Sequence, residues 1–131
     1  MKVLSLFDGI SCGMLALQRA GIPAECYHAF EIDKYAVTVS KRNFPVIVHH
    51  GNVYDGDFTQ FRGYDLLLGG SPCTYWSIAK KDREVDCNGE GFRLFKEYVR
   101  ALEESGCKYF LYENNYSVHQ NINCLLYTSD A

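Results

Sequence analysis

Apolar residues along the chain follow two alternating patterns. Short apolar runs typical of buried strands cover residues 3–7, 26–32, 46–49, 64–68 and 109–112. Between these runs, apolar residues recur at helical spacing over residues 12–20, 34–43 and 92–102. Pro45 and Gly106 stand where the second and third helical segments end. Strands that alternate with helices predict an α/β fold of Rossmann-like type, with a parallel sheet and helices on both faces.

The residues that follow each predicted strand are mostly glycines and polar residues. They read FDGISCG at 7–13, EID at 31–33, GNV at 51–53, GGSPC at 69–73 and ENN at 113–115. The carboxyl ends of parallel strands meet at one edge of the sheet, where ligands bind near the topological switch point. We therefore expect these five segments to surround one binding crevice.

The first three segments suit a nucleoside ligand without phosphates. Gly9 and Gly13 do not follow the G-x-G-x-x-G spacing of dinucleotide-binding loops, although the helix that begins there can receive a carboxylate. Glu31 stands where an acidic residue accepts hydrogen bonds from ribose hydroxyls, and Asn52 can accept one from an adenine amino group. Apolar walls come from Phe7, Ile32 and Val53. These features indicate S-adenosylmethionine. In the alternative interpretation, the two glycines are turn residues and Glu31 is a solvated strand end.

Cys73 lies in a loop just after an apolar run, between a proline and aromatic residues. As alternatives, it is a small buried hydrophobic residue or an inert loop thiol. Pro72 restricts the backbone, and Glu113 follows the next predicted strand, so its carboxyl group can face the same crevice. A thiolate and a carboxylic acid are the groups needed for conjugate attack on an electron-poor ring. Asn114 is predicted to orient the cysteine loop rather than to react.

Taken in order, the five segments resemble the motifs of the DNA (cytosine-5) methyltransferases. The segment NGEGFRLFKEYVRAL, between the cysteine loop and the acidic motif, is also similar to that family. The combination of SLFDGI and GFRLFKEY is most similar to the de novo-type and phage-type branches. The resemblance implies a Rossmann-like S-adenosylmethionine-dependent methyltransferase fold. It also implies a DNA-binding enzyme of DNA methylation or of restriction-modification.

The resemblance further implies a role for each motif residue. Cys73 would attack C6 of a cytosine extruded from the duplex, which makes C5 nucleophilic toward the cofactor methyl group, and Glu113 would contact the N3 edge. The cofactor-binding residues would be Phe7, Asp8, Gly9, Ile10, Ser11, Cys12, Gly13, Glu31, Ile32, Asn52, Val53 and Pro72. The family usually has Asp where this chain has Asn52, so we expect binding of altered strength. The cofactor would leave the reaction as S-adenosylhomocysteine, after it has lost its methyl group.

Composition and charge limit the partners. The formal net charge of −3 offers no electrostatic case for nucleic-acid binding by the chain as a whole. The six cysteines lack zinc-site spacing, and His28, His49, His50 and His119 form no ligand pattern, so we expect no metal and regard the histidines as bystanders. Apolar runs are too short to span a bilayer, and the N-terminus lacks a signal-peptide pattern. We expect an intracellular protein of the cytoplasm or nucleoid that does not bind membranes.

The loop at residues 79–90 carries Lys80, Lys81 and Arg83. The resemblance implies a mobile lid that closes over DNA, whereas the neighbouring acidic residues favour an ordinary solvated loop. Trp76 either flanks the target base or packs against the sheet. Both pairs of interpretations stay open.

The resemblance covers residues 3–122 but only the first part of the family's catalytic domain. We predict that residues 1–131 form a partial domain with the cofactor and nucleophile half, without the C-terminal strands and the target-recognition region, and with a non-native tail at 123–131. Such a chain is expected to have little activity alone, and an open sheet edge that favours self-association or marginal stability. The alternatives are a tRNA cytosine-5 methyltransferase, a non-catalytic cofactor-binding module and, more distantly, a nicotinamide-dependent oxidoreductase.

Overall fold

The computed structural model describes residues 1–72 and 89–114, which form one sheet with flanking helices. The strands are β1 (Lys2–Leu6), β2 (Cys26–Phe30), β3 (Val48–His50), β4 (Leu66–Gly69) and β5 (Tyr109–Tyr112). The α-helices are α1 (Cys12–Arg19), α2 (Lys34–Asn43) and α3 (Glu90–Ser105), and two 3₁₀ helices cover Val53–Asp55 and Phe58–Phe61. Strands and helices alternate as the apolar pattern predicts, and the bounds of α2 and β5 are the predicted ones.

The described strands are all parallel and lie in the spatial order β3-β2-β1-β4-β5. β1 is central, since Leu4 pairs with His28 of β2 on one side and with Leu67 of β4 on the other. The chain moves outward from β1 to β3 and then crosses β1 to add β4 and β5. The switch point therefore lies between the carboxyl ends of β1 and β4, where such sheets bind ligands. The predicted Rossmann-like arrangement is confirmed.

Packed side chains cover both faces of the sheet, because successive residues of a strand point to opposite sides. Leu4 and Leu6 of β1 face one core, which contains Phe58 of the second 3₁₀ helix and residues of α3. Val3 faces the other core, which contains Leu17 of α1. The helices thus pack on both faces, as predicted.

α3 packs on the sheet through one stripe of side chains. Its buried residues are Gly91, Phe92, Phe95, Tyr98, Ala101 and Ser105. The Tyr98 hydroxyl lies 3.2 Å from the carbonyl oxygen of Leu67 and 3.0 Å from that of Leu111, so it connects β4 with β5. Gly106 ends the helix with a left-handed φ of 63°, and its N–H donates to the carbonyl of Leu102. Neither α3 nor any other helix in the described part of the chain is long and apolar enough to cross a membrane.

Several predicted bounds are wrong, two of them for identifiable reasons. β2 ends at Phe30 rather than at residue 32, because the Glu31 carboxylate accepts hydrogen bonds from the next two backbone N–H groups. β3 begins at Val48 rather than at residue 46, because the N–H of Ile47 closes a turn with the carbonyl of Phe44. The remaining bounds shift by one to three residues.

β5 is an edge strand with little cover. Tyr109, Phe110 and Leu111 are exposed to 52%, 60% and 62% of their surface. Because alternate side chains of a strand face opposite sides, β5 is open on both faces. In the described sheet it pairs with β4 only.

Candidate cofactor and active site

A cavity of about 200 Å³ opens beside the carboxyl ends of β1, β2 and β3. Six predicted cofactor-binding residues line it, namely Phe7, Glu31, Ile32, Asn52, Val53 and Pro72. The other six predicted residues, at positions 8–13, do not line this cavity. Further lining residues that the sequence did not indicate include Tyr54, Glu90 and Leu94. Apolar walls with a few converging polar groups are typical of small-molecule sites.

The carboxylate of Glu31 is fixed by three backbone N–H groups. Its Oε1 accepts from the N–H of Gly9 at 2.7 Å, and its Oε2 accepts from those of Ile32 at 2.9 Å and Asp33 at 3.0 Å. A carboxylate offers about four acceptor directions. Glu31 therefore ties the first loop to the end of β2 and keeps about one direction for a ligand donor.

The loop after β1 has an uncommon backbone. Phe7, Gly9 and Ser11 adopt positive φ angles of 55°, 60° and 70°. The carbonyl of Ser11 accepts the N–H of Met14 at 3.1 Å, which starts the first turn of α1. The N–H groups of residues 10, 12 and 13 have no acceptor among residues 1–72 and 89–114. Such N–H groups at a helix start form a place for an anion.

The side chain of Asp8 is half-buried and is held by three hydroxyl groups. Its Oδ1 accepts from Ser5 Oγ and from the Tyr27 hydroxyl, both at 2.6 Å, and its Oδ2 accepts from Ser11 Oγ. Burial, with the nearby Asp8 charge, raises the pKa of Tyr27, so the phenol remains a donor at neutral pH. Gly13 packs against the same group, because a Cβ there would lie 2.8 Å from the Tyr27 hydroxyl oxygen. Asp8 thus acts in the described structure as an internal acceptor.

A side-chain hydrogen bond connects the first 3₁₀ helix with α3 beside the cavity. Asn52 caps the 3₁₀ helix, where its Oδ1 accepts the N–H of Tyr54 at 3.0 Å. The Tyr54 hydroxyl donates to Glu90 Oε1 at 2.7 Å. Burial, and then the hydrogen bond to Glu90, raise the pKa of Tyr54. Sequence reasoning missed this contact, although Tyr54 directly follows the GNV segment and Glu90 belongs to the NGEGFRLF segment.

The start of the cysteine loop is fixed against the end of β5. A Cβ on Gly70 would lie 2.1 Å from the carbonyl oxygen of Glu113, so only glycine fits this approach. Asn114 Nδ2 donates to the carbonyl of Ser71 at 2.8 Å, and Ser71 Oγ is 2.7 Å from the Tyr112 hydroxyl. These contacts place Asn114 against the start of the cysteine loop, as an orienting role requires, and the expectation that it does not react stays a prediction.

Some predicted residues lie outside the described part of the chain. They are Cys73, Trp76, Lys80, Lys81, Arg83 and the tail at 123–131. The chemical role of Cys73 therefore stays a prediction, as does the role of Glu113, whose side chain is exposed at the end of β5.

The described histidines make specific structural contacts, and the expectation that they are bystanders to the chemistry stays a prediction. His28 Nδ1 lies 2.8 Å from His50 Nε2, and the His50 ring stacks on Phe30. His49 Nε2 lies 3.3 Å from Ser40 Oγ. Burial lowers the pKa of all three histidines. Within the residues described, no group of three or more His, Cys, Asp or Glu side chains is placed to hold a metal ion.

Comparison with known proteins identifies similar sequences and a family. Residues 1–124 match the C-5 cytosine-specific DNA methylase family. The orphan methyltransferase M.SPRI of Bacillus phage SPR is 38% identical over 118 aligned positions, with 87% of this chain and 26% of that protein covered. The type II methyltransferase M.HhaI of Haemophilus parahaemolyticus is 34% identical over 133 positions, with 95% of this chain and 37% of that protein covered. The chain thus spans well under half the length of these curated relatives.

The fold also has a counterpart among solved structures. The crystal structure of a Spodoptera frugiperda DNMT2 mutant superposes with a TM-score of 0.73 at 23% identity, covering 96% of this chain and 39% of that one. At this identity the likeness supports the fold. Because the family match spans nearly all of the sequence, the chain belongs to the C-5 cytosine-specific DNA methylase family.

Proposed function

We propose that this chain carries the cofactor-binding and nucleophile-bearing part of a DNA cytosine-5 methyltransferase. The main support is the cavity at the strand ends, where six predicted residues line one space and the Glu31 carboxylate is fixed beside Gly9. The matched region is 26% of the phage relative. The proposal therefore covers cofactor binding and cysteine chemistry, and it does not extend to target recognition.

The residues around the cavity fit S-adenosylmethionine. The remaining acceptor direction of Glu31 suits a ribose hydroxyl. Asn52 lines the same cavity as Ile32 and Val53, so a hydrogen-bonding side chain and apolar side chains are both present for an adenine ring. The N–H groups at the start of α1 suit a carboxylate. When bound, the cofactor supplies the methyl group.

The proposed chemistry starts at Cys73, which directly follows Pro72 of the cavity wall. Its thiolate forms a bond from sulfur to C6 of an extruded cytosine, and the electron pair of the C5–C6 double bond becomes available at C5. Glu113, whose backbone lies against the cysteine loop at Gly70, donates a proton or hydrogen bond to N3 and stabilises the charge that develops there. After methylation, loss of the C5 proton to a base expels the thiolate and restores the ring.

Titration calorimetry with S-adenosylhomocysteine tests the cofactor site. The 131-residue chain should bind saturably, and Glu31→Ala should weaken binding by about tenfold or more, because hydrogen bonds to charged groups contribute about 1.5–3 kcal/mol. Glu25→Ala is the matched control, since Glu25 is exposed and pairs with the N-terminal amine at 3.6 Å. A folded chain without saturable binding would contradict the proposal.

Covalent trapping tests the nucleophile and the substrate. With added cofactor, a duplex containing 5-fluorocytosine should form an adduct with the chain, because fluorine at C5 cannot leave as the proton does. Cys73→Ala should abolish the adduct, and Cys124→Ala should not. An RNA of the same sequence tests the alternative substrate, since an adduct with RNA alone would overturn the DNA assignment. Cofactor binding without any adduct would restrict the function to a cofactor-binding module.

A further inference from the structure

A buried series of hydrogen bonds, here called the Ser40 relay, lies behind the proposed cofactor loop. Ser11 of the loop and Ser40 of α2 are fully buried, and His49 belongs to β3. Ser11 Oγ donates to Asp8 Oδ2 and is within hydrogen-bond distance of Ser40 Oγ. Ser40 Oγ is also 3.3 Å from His49 Nε2. The relay therefore joins the loop after β1 to α2, 29 positions further along the chain, and to the neighbouring strand β3.

The donors and acceptors of the Ser40 relay have one consistent order. A carboxylate can only accept hydrogen bonds, so the hydroxyl group of Ser11 donates its one hydrogen bond to Asp8. Ser11 then accepts from Ser40, and this bond uses the one hydroxyl proton of Ser40. His49 must consequently donate its Nε2–H to Ser40. Its Nδ1 atom is buried and has no hydrogen-bond partner among the described residues.

The relay includes Ser11, the residue that directly precedes α1. Ser11 has a φ of 70°, a conformation that a residue other than glycine keeps only where its surroundings impose it. Its carbonyl accepts the N–H groups of Met14 and Leu15 at 3.1 Å and 3.4 Å, which form the first helical turn. Ser40 and His49 do not line the cavity. Their effect on the site passes through Ser11.

We propose that Ser40 and His49 are positioning residues for the cofactor loop, which hold Ser11 and thereby the first turn of α1 in place. The binding consequences of this inference rest on the proposed function, whereas the geometry of the loop does not depend on a ligand. Other positioning contacts, such as that of Glu31 with Gly9, act from the cavity side. The Ser40 relay acts from the opposite, buried side.

Protonation of His49 should weaken the relay. The ionisable groups that act on its ring are Asp8 of the loop, Lys41 of α2 and His50 of the same strand. A proton on Nδ1 would create a buried donor without an acceptor, close to the positive Lys41. Burial, and then Lys41, lower the pKa of His49, while Asp8 opposes them. The neutral ring is therefore the folded form at neutral pH, and its contribution is lost as the pH falls.

Nuclear magnetic resonance of the ligand-free, 131-residue chain tests the geometry. The imidazole nitrogens of His49 should report the Nε2–H tautomer near neutral pH, and the Nδ1–H tautomer would overturn the proposal. In Ser40→Ala, amide exchange at Met14 and Leu15 should become about tenfold faster, because the relay no longer holds Ser11. Thr38→Ala is the matched control, since Thr38 lies on the same helix and its hydroxyl donates to the carbonyl of Lys34 at 2.8 Å. Equal exchange in the two variants would also overturn it.

The pH dependence of S-adenosylhomocysteine binding separates positioning from simple stabilisation. The affinity of the unmodified chain should fall about threefold or more between about pH 7.5 and about pH 5.5. His49→Gln keeps a side-chain N–H donor but does not titrate, so the S-adenosylhomocysteine affinity of this variant should not depend on pH in this range. This test remains decisive even if Ser40→Ala fails to fold. His28→Gln, outside the relay, should keep the dependence of the unmodified chain. The same pH profile in His49→Gln and the unmodified chain would refute the role of His49.

A chain that binds no S-adenosylhomocysteine would refute the proposed function, while the tautomer and exchange results would still decide the positioning role.

Discussion

The central strand and the edge strand of this sheet are similarly apolar but have opposite environments. In β1, Val3, Leu4 and Leu6 are buried, with a strand on each side and a core on each face. In β5, the residues from Tyr109 to Leu111 are more than half exposed. Apolar composition therefore predicted both strands equally well, whereas the position in the sheet decided which of them is buried.

The same contrast separates the two ends of the proposed site. The cofactor side rests on β1 and β2, and its loop is held by Glu31 from the cavity and by Ser40 from the buried side. The nucleophile side rests on β4 and β5, and Glu113 follows the exposed strand. Among the described residues, the cofactor loop is thus held from two directions, whereas the strand that precedes Glu113 is more than half exposed.

The largest expected effect comes from truncating the central strand. Leu4→Ala should lower the free energy of unfolding by about 2–5 kcal/mol, because it leaves a cavity in a core that does not collapse fully. Leu111→Ala, on the exposed edge strand, should change it by about 0.5 kcal/mol. Urea unfolding measures both values. Equal losses would mean that β5 is covered in solution.

An added methyl group should disturb the junction of β4 and β5. Gly70→Ala places a Cβ against the carbonyl of Glu113, and the resulting overpacking should cost about 1–3 kcal/mol. Gly51→Ala is the control, because a Cβ there meets no atom within 4 Å. Urea unfolding of the two variants gives the difference. A Gly70→Ala chain as stable as the control would show that the cysteine loop does not rest on β5.

A smaller effect concerns His28 of β2 and His50 of β3, where β3 forms the other edge of the described sheet. Burial lowers the pKa of His28 and His50, so the unfolded chain binds more protons than the folded chain as the pH falls. The contribution of these two histidines to the free energy of unfolding is fully present above about pH 6.5, the pKa of an unperturbed histidine. It should decrease as the pH falls below this value. Unfolding measured between about pH 7.5 and about pH 5 should show this loss. The double variant His28→Phe/His50→Phe should reduce this loss and leave the part that His49 contributes, and an unchanged slope would locate the titration elsewhere.

The smallest effect on stability is expected at the surface of β5. Phe110→Lys should change the free energy of unfolding by about 0.5 kcal/mol, because Phe110 is 60% exposed. It should nevertheless reduce self-association, since a charge on an edge strand discourages pairing between chains. Sedimentation velocity over a range of concentrations measures this. Identical profiles with and without the lysine would show that the β5 edge is not a contact between copies.

Part of the site could be read from the order of residues after each strand. Glu31 and Asn52 were predicted because chain position places them at strand ends, and both line the cavity. The 3₁₀ helices were not predicted, since each is only three or four residues long and depends on a side-chain cap from Asn52 or Asp57. The contact of Tyr54 with Glu90 joins residues 36 positions apart, and no local pattern encodes such a pair.

By itself, the sequence determined the alternation of strands and helices, the helical stripe of α3 and the family motifs. These are local properties, because periodicity and spacing operate over a few residues. Only the tertiary structure decided that Asp8 accepts hydrogen bonds from Ser5, Ser11 and Tyr27, that β5 is exposed and that His49 reaches the cofactor loop through Ser40. Burial and hydrogen-bond partners depend on which distant segments pack together. In this chain that is determined by the order of the strands around β1.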